Sequence, residues 1–250
     1  MRRIVRQPLS RTTEKRLAGY QRRVDSGESV QTVWKRARGT RTLRNEVAGT
    51  LRRMAGRRER CFFCEDSRGT DVEHFWPKQP YPERAFQWLN LLFACAGCNR
   101  RKGDRFPLDE AGLPLLIDPT SDDPWDHLFL DTDTGFLVAR WHEATGKPDR
   151  RGEITTDDSL LRLNTEAVTE GRLRTIRRLR RAVRGFLHEM AQNGAAGDAR
   201  EHFLAAVVDN DDYGISCWFF HRDGGTESPF AELRARFPEV WETAQALVSR

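Results

Sequence analysis

The chain has no long apolar run. None of its apolar segments approaches the roughly 20 residues that a membrane-spanning helix needs. The basic start, MRRIVRQPLSR, is not followed by an apolar stretch, so we expect neither a secretory signal nor membrane attachment. Internal repeats and low-complexity segments are also lacking. With 38% hydrophobic and 32% charged residues among 250, these absences favour a polar, globular, cytoplasmic protein of one extended domain or two small ones.

Cysteine is scarce, and most of it is paired. Four of the five cysteines form two Cys-x-x-Cys pairs, Cys61/Cys64 and Cys95/Cys98, which are separated by thirty residues. This spacing favours a metal site over disulfides in a reducing compartment. Four thiolates suit one tetrahedral zinc ion and leave no open coordination position, so we predict a structural role for the zinc. The fifth, Cys217, is expected to be a buried free thiol.

Charge is unevenly distributed. Residues 1–60 contain 18 Lys and Arg against 5 Asp and Glu, a net charge of +13, so the other 190 residues sum to −8. A basic segment on a mildly acidic body is typical of a protein that binds a phosphate backbone. The alternative is an arginine-rich helical surface that is merely exposed to solvent.

Apolar spacing and capping residues predict most of the secondary structure. We expect a short strand over residues 113–117, a hairpin pairing 127–130 with 136–141, and a loop over 146–152. A linker is expected over residues 193–197. Helices are expected over residues 10–24, 28–37, 40–54, 165–190, 198–208 and 229–248.

These elements predict an α+β fold that is mostly helical. We divide the chain into four segments: a basic helical N-terminal segment (1–58), a zinc-stabilised core (59–112), an extension that contains the β-hairpin (113–150) and a helical C-terminal region (151–250).

The residues between and beside the paired cysteines carry candidate chemistry. Hydrolysis of a phosphodiester needs a base to activate water and a divalent cation to hold the phosphate. His74 is the candidate base, because histidine ordinarily titrates near neutral pH. Glu73 and Asn99 offer the oxygen ligands that Mg2+ prefers. A zinc ion that ties Cys98 to Cys61 would also draw Asn99 towards the strand that carries Glu73 and His74.

The joint pattern resembles the HNH endonuclease motif in its H-N-N form. It consists of Glu73-His74, Asn90 within Trp-Leu-Asn-Leu-Leu, and Asn99 and Lys102 within Cys-Asn-Arg-Arg-Lys-Gly. The paired cysteine knuckles are similar to those of the zinc-stabilised branch of that family. The resemblance covers about 45 of the 250 residues and implies a ββα-metal core.

The resemblance also implies roles for these residues. His74 would be the general base, Glu73 and Asn99 would bind one catalytic cation, and Asn90 would brace the loop that orients the base. Lys102, with Arg100 or Arg101, would contact phosphate. The third motif residue is Asn rather than His, which favours Mg2+ or Mn2+ over softer metals.

The flanking segments are similar to HNH proteins of prokaryotic antiphage systems, the Septu-type and retron-associated nucleases. The similar segments are Leu-Leu-Ile-Asp-Pro119, Asp-x-x-Thr-Gly135 and Leu-Arg-Leu-Asn164 followed by an arginine-rich helix. This similarity implies an ABC-type ATPase partner.

Three functional hypotheses follow. The first is a metal-dependent endonuclease that acts on DNA, with RNA as an open alternative and with one strand cut per active site. The second is a non-catalytic zinc-knuckle protein that binds nucleic acid or bridges proteins. The third is a nuclease subunit, in a possible oligomer, that is active only with its ATPase. The five histidines other than His74 have no partners at motif spacing, so we assign them structural roles.

Overall fold

The computed structural model describes residues 1–193, 197–209 and 212–248. Within these residues, helices predominate, and there are three small sheets, each of two antiparallel strands. The α+β, mostly helical fold predicted from the sequence is therefore confirmed. Buried apolar side chains from all four predicted segments form one core. Within the described residues, no helix is both long enough and apolar enough to cross a bilayer.

The basic N-terminal segment is helical, as its apolar spacing predicted. Ser10 caps the first helix, because its side-chain oxygen accepts a hydrogen bond from the Thr13 amide at 3.2 Å. Leu43, Val47 and Leu51 face the core. The elements are α1 (Arg11–Asp25), α2 (Val30–Ala37), a π-helical segment (Thr42–Val47) and its continuation α3 (Ala48–Met54).

Two strands and a helix form the centre of the chain. Strand β1 (Asp71–His74) pairs antiparallel with β2 (Leu91–Ala94), and Glu73 lies opposite Leu92. Helix α4 (Ala96–Lys102) follows β2 almost directly. It ends at Gly103, whose φ of +51° and ψ of −132° fall in a region that essentially only glycine adopts.

The extension contains two hairpins. The predicted one is confirmed as β3 (Leu128–Leu130) with β4 (Leu137–Ala139). The predicted loop over residues 146–152 is wrong, because it contains β6 (Lys147–Pro148), which pairs with β5 (Trp141–His142), and the start of a helix.

The predicted strand over residues 113–117 is also wrong. Only one isolated bridge, between Leu108 and Pro114, occurs there. The Ile117 amide donates to the Thr155 hydroxyl at 3.0 Å instead of pairing with a neighbouring strand.

The C-terminal region is a set of packed helices. The predicted helix over 229–248 is two helices, because Pro238 has no amide proton with which to continue the first. The predicted linker over 193–197 lies largely outside the described residues. The helices are α5 (Arg150–Thr156), α6 (Glu166–Asn193), α7 (Gly197–Asp209), α8 (Ile215–His221), α9 (Phe230–Arg236) and α10 (Pro238–Leu247).

Candidate functional site

The four paired cysteines form one buried cluster. Their sulfur atoms all lie within 4.8 Å of one another, and the Sγ atoms of Cys64 and Cys95 are 3.9 Å apart. The turn that carries Cys61 and Cys64 is tied to β2, because the Phe62 amide donates to the Phe93 carbonyl at 2.8 Å. The thiols are thus positioned to hold one metal ion, and a set of four soft thiolates suits zinc.

A cleft of about 890 Å³ lies beside this cluster, between the N-terminal helices and the central strands. Four polar side chains from β1 and α4 line it, namely Asp71, Glu73, His74 and Asn99. Three of these are the predicted base and the predicted cation ligands. The fold therefore brings Glu73, His74 and Asn99 into one cavity.

His74 is buried and held from one side. Its Nε2 lies 3.0 Å from the Ala85 carbonyl oxygen, which can only accept, so Nε2 carries the proton and Nδ1 is free to accept one. The Trp34 ring packs edge-on at 4.2 Å between ring centroids. Burial, with the cationic Lys78 and Lys102 nearby, lowers the pKa of His74 to about 3. The ring is therefore neutral at neutral pH, although it is less basic than the sequence-based argument assumed.

Glu73 is paired with Lys102 in the interior. The Lys102 ammonium lies 3.1 Å from Glu73 Oε1 and 2.7 Å from the His74 carbonyl oxygen, and the Lys102 side chain is 0% exposed. Burial raises the pKa of Glu73 above its ordinary value, while Lys102 opposes that shift. Lys102 thus lies behind Glu73 and is absent from the cleft lining, so its described position gives no support to the predicted phosphate contact.

Asn99 is paired with a residue that the motif did not include. Its Nδ2 donates to Asp71 Oδ2 at 2.9 Å. Asp71 and Glu73 share one face of β1, since side chains alternate along a strand. Asn99 and Lys102, three residues apart, share one face of α4. Two parallel polar contacts, Asp71–Asn99 and Glu73–Lys102, therefore join the strand to the helix.

Asn90 braces the loop between the two strands. Its side-chain oxygen accepts from the Trp76 amide at 2.7 Å, and its Nδ2 donates to the carbonyls of Trp76 and Arg84, both at 3.0 Å. The residue after Arg84 is Ala85, whose carbonyl accepts the hydrogen bond from His74. Asn90 therefore fixes the backbone that orients His74, while its part in catalysis stays a prediction.

Five cationic side chains also line the cleft, namely Lys35, Arg38, Arg44, Arg52 and Lys78. Within the described part of the chain, none of these five has a carboxylate within ion-pair distance. Other arginines of the N-terminal segment differ: Arg16, Arg23 and Arg36 are paired with glutamates. Four of the five cleft cations belong to this segment, so part of its unpaired positive charge lies where Glu73 and His74 lie.

Several members of the site were not predicted from the sequence. Asp71 could have been found, because Asp-Val-Glu-His places it two residues before Glu73 on the same strand face. Trp34 and Lys35 come from α2, and nothing in their local sequence connects them with β1. Their place in the cleft arises from tertiary packing alone.

Two of the histidines that we assigned structural roles share a carboxylate. His127 Nδ1 and His142 Nε2 each lie 3.1 Å from Asp149 Oδ2. The other Asp149 oxygen accepts from the Gly152 amide at 2.8 Å and so caps α5. Arg151 donates to His127 Nε2 at 3.2 Å. These contacts hold β5 against α5, which is a structural role.

Comparison with known proteins found similarity to two Septu proteins. The chain is 39% identical over 74 residues to Septu protein PtuB of Bacillus thuringiensis, which covers 28% of this chain and 27% of that protein. It is 34% identical over 104 residues to Septu protein PtuB of Bacillus mycoides (strain KBAB4), which covers 29% of this chain and 35% of that protein. The matches thus span about a third or less of these curated relatives. No model of a protein family matches the chain, and no solved structure matches it.

Proposed function

We propose that this chain is a metal-dependent HNH endonuclease that hydrolyses phosphodiester bonds, with DNA as its substrate. The observation that carries the proposal is the shared cleft of Glu73, His74 and Asn99, lined also by five cations that have no carboxylate partner among the described residues. An ordinary packed histidine would need neither the adjacent carboxylate nor these cations. The similarity to two Septu proteins supports the same interpretation.

In this proposal His74 activates water. The hydrogen bond from Nε2 to the Ala85 carbonyl leaves Nδ1 as the proton acceptor. Water bonded to Nδ1 would lose a proton to the ring as its oxygen attacks phosphorus, and the bond from phosphorus to the 3′ oxygen would break, with that oxygen taking a proton from solvent. The products would be a 5′-phosphate and a 3′-hydroxyl. The bond to Ala85 would then stabilise the imidazolium that forms.

Glu73 and Asn99 would hold Mg2+ or Mn2+ through Glu73 Oε2 and Asn99 Oδ1. A bound cation would neutralise charge on the phosphate and on the leaving oxygen. Glu73 Oε1 and Asn99 Nδ2 are already bonded to Lys102 and Asp71, so each ligand side chain is anchored by one atom. Lys102 therefore has a positioning role in this scheme, and the phosphate contact passes to the cations that line the cleft.

The four-cysteine cluster would hold a structural zinc ion. Its buried thiols leave no position for substrate. The cluster lies where the turn of Cys61 and Cys64 contacts β2 and where α4 begins. Zinc would therefore fix the distance between Glu73 and Asn99 without entering the reaction.

The biological setting belongs to the same proposal. The names of the two similar proteins and the resemblance of the flanking segments support a place in antiphage defence. An ABC-type ATPase partner would then control when the nuclease cuts. DNA in the cleft would be contacted through its phosphates by Lys35, Arg38 and Arg44, which are exposed.

Nicking of supercoiled plasmid with Mg2+ tests the proposal. We expect the zinc-loaded wild type to nick, and we expect His74→Ala to lose about 100-fold or more of the rate while it keeps its zinc. His188→Ala, an exposed position on α6, is the matched control. If His74→Ala cuts as well as wild type, the assignment of the base is wrong.

The assay also separates the rival hypotheses. A non-catalytic zinc module would bind plasmid with a steep salt dependence. It would not cut the plasmid, whichever divalent ion is added. A subunit that is silent alone would cut only after addition of the ATPase with which it co-purifies.

A further inference from the structure

We propose that Asp71 is a positioning residue that determines which end of the Asn99 amide faces the cation. This inference rests on the proposed function, because it concerns the same cleft. The juxtaposition that carries it is the 2.9 Å hydrogen bond from Asn99 Nδ2 to Asp71 Oδ2, made at the wall of the cleft.

An amide has two ends of nearly equal shape and opposite chemistry. Its oxygen binds a hard cation, whereas its NH2 group repels one. An ionised carboxylate can only accept hydrogen bonds. Asp71 therefore takes the NH2 end of Asn99, and Asn99 Oδ1 is directed away from Asp71. Among the described residues, Asn99 Oδ1 accepts no hydrogen bond, so this oxygen remains available to a ligand.

The fold keeps this contact in place. Asp71 opens β1, where the Thr70 amide donates to the Ala94 carbonyl at 2.9 Å and so extends the pairing with β2. Asn99 lies one residue after Cys98, whose sulfur belongs to the metal cluster. Both ends of the contact are thus fixed by backbone that the sheet and the cluster define. A second contact of the same kind joins Glu73, two residues after Asp71 on β1, to Lys102, three residues after Asn99 on α4.

Reversal of the pair tests the inference. Asp71→Asn lets residue 71 offer either end of an amide, so the orientation of Asn99 is no longer specified. Asn99→Asp places two carboxylates opposite each other and removes the donor. The double variant Asp71→Asn/Asn99→Asp restores one donor and one carboxylate with the polarity reversed, and it still directs an oxygen at the cleft.

The readouts are the Mn2+ affinity of the full zinc-loaded chain, by calorimetry, and the Mg2+ dependence of plasmid nicking. We expect Asp71→Asn to weaken Mn2+ binding about 10- to 100-fold. We expect the double variant to recover most of that loss, as coupled residues in direct contact do. Asp133→Asn, at an exposed turn position, should leave the affinity unchanged.

Two outcomes would overturn the inference. If the wild type nicks and the two single effects simply add in the double variant, Asp71 does not act through Asn99. If Asn99→Asp tightens Mn2+ binding and Asp71→Asn weakens it in either background, Asp71 is a direct ligand. A wild type that neither nicks nor binds Mn2+ would instead refute the proposed function, and this inference with it.

Discussion

All four sulfur atoms of the cysteine cluster face one another, whereas the polar side chains of the cleft are each anchored to a different protein group. The cluster is complete once a metal ion is added. In His74, Glu73 and Asn99, one polar side-chain atom is hydrogen-bonded to the protein and the other is available to a ligand. These anchoring contacts are His74 Nε2 to Ala85, Glu73 Oε1 to Lys102, and Asn99 Nδ2 to Asp71.

Under the proposed function, this difference separates a structural metal site from a site that exchanges its ligands. A closed set of four thiolates gains nothing from substrate, so its contribution is to folding. Side chains anchored by one atom lose little entropy when they bind, because their orientation is already fixed. The two sites share α4, which carries Cys98 and Asn99, so the closed site also sets the geometry of the open one.

The largest expected effect is on the closed site. Cys98→Ser removes one thiolate from the cluster, and structural zinc supplies about 10–16 kcal/mol of apparent binding energy in small domains. We therefore expect loss of zinc and unfolding of residues 59–103, measured by zinc quantification and by amide exchange in β1 and β2. Cys217→Ala, in α8, is the control and should keep the zinc content of wild type. Full zinc content in Cys98→Ser would show that the cluster is not a single four-thiolate site.

The second effect concerns the charge behind the open site. Lys102→Met leaves Glu73 as an unpaired buried carboxylate, which costs about 3–5 kcal/mol of unfolding free energy when a buried ion pair is broken. Lys102→Met/Glu73→Gln removes both charges and should recover most of that loss. Urea denaturation of the two variants and the wild type measures this. Equal losses in both would mean that Lys102 acts through packing rather than through its charge.

Sequence alone predicted the parts of this molecule that depend on local spacing. The thiols, the capped start of α1 and the hairpin β3–β4 each follow from residues that are close in the chain. Helix α8 was missed because it is buried on nearly all sides and shows no amphipathic period. It lies in a segment that we had left unassigned.

The cleft was predicted only in part, for the same physical reason. Glu73, His74 and Asn99 are marked by their neighbours in sequence, and the fold brings them together. The burial of Lys102 depends on the packing of α4 against β1, and a lysine after two arginines looks like an exposed one. The cations of α2 and α3 reach the cleft through contacts that no local pattern encodes.

The third prediction concerns the stability of the open site at low pH. The pKa of His74 is about 3 when folded and about 6.5 when unfolded, so the unfolded chain binds the extra proton. The contribution of the neutral His74 ring to the free energy of unfolding is therefore fully present above the unfolded pKa. It falls by about 1.4 kcal/mol per pH unit as the pH drops below that value. Compared with His74→Asn, wild type should lose about 2 kcal/mol more between about pH 7 and about pH 5. If the free energy of unfolding, measured by urea denaturation, changes with pH equally in wild type and His74→Asn, the His74 ring can be protonated in the folded state.

The smallest effect distinguishes binding at the cleft from binding at any basic surface. Arg44 lines the cleft and has no carboxylate partner in the part of the chain that the structure describes, whereas Arg178 is exposed on α6 and does not line the cleft. If Arg44 contacts one phosphate, Arg44→Gln should reduce the slope of log K against log salt by about 0.9, because one fewer counterion is released. Arg178→Gln should leave the slope unchanged. Fluorescence anisotropy with a labelled duplex in a salt series, without a divalent ion, measures both. Equal reductions of the slope in both variants would show that DNA is held by the overall charge of the protein. The cleft would then not be the nucleic-acid site.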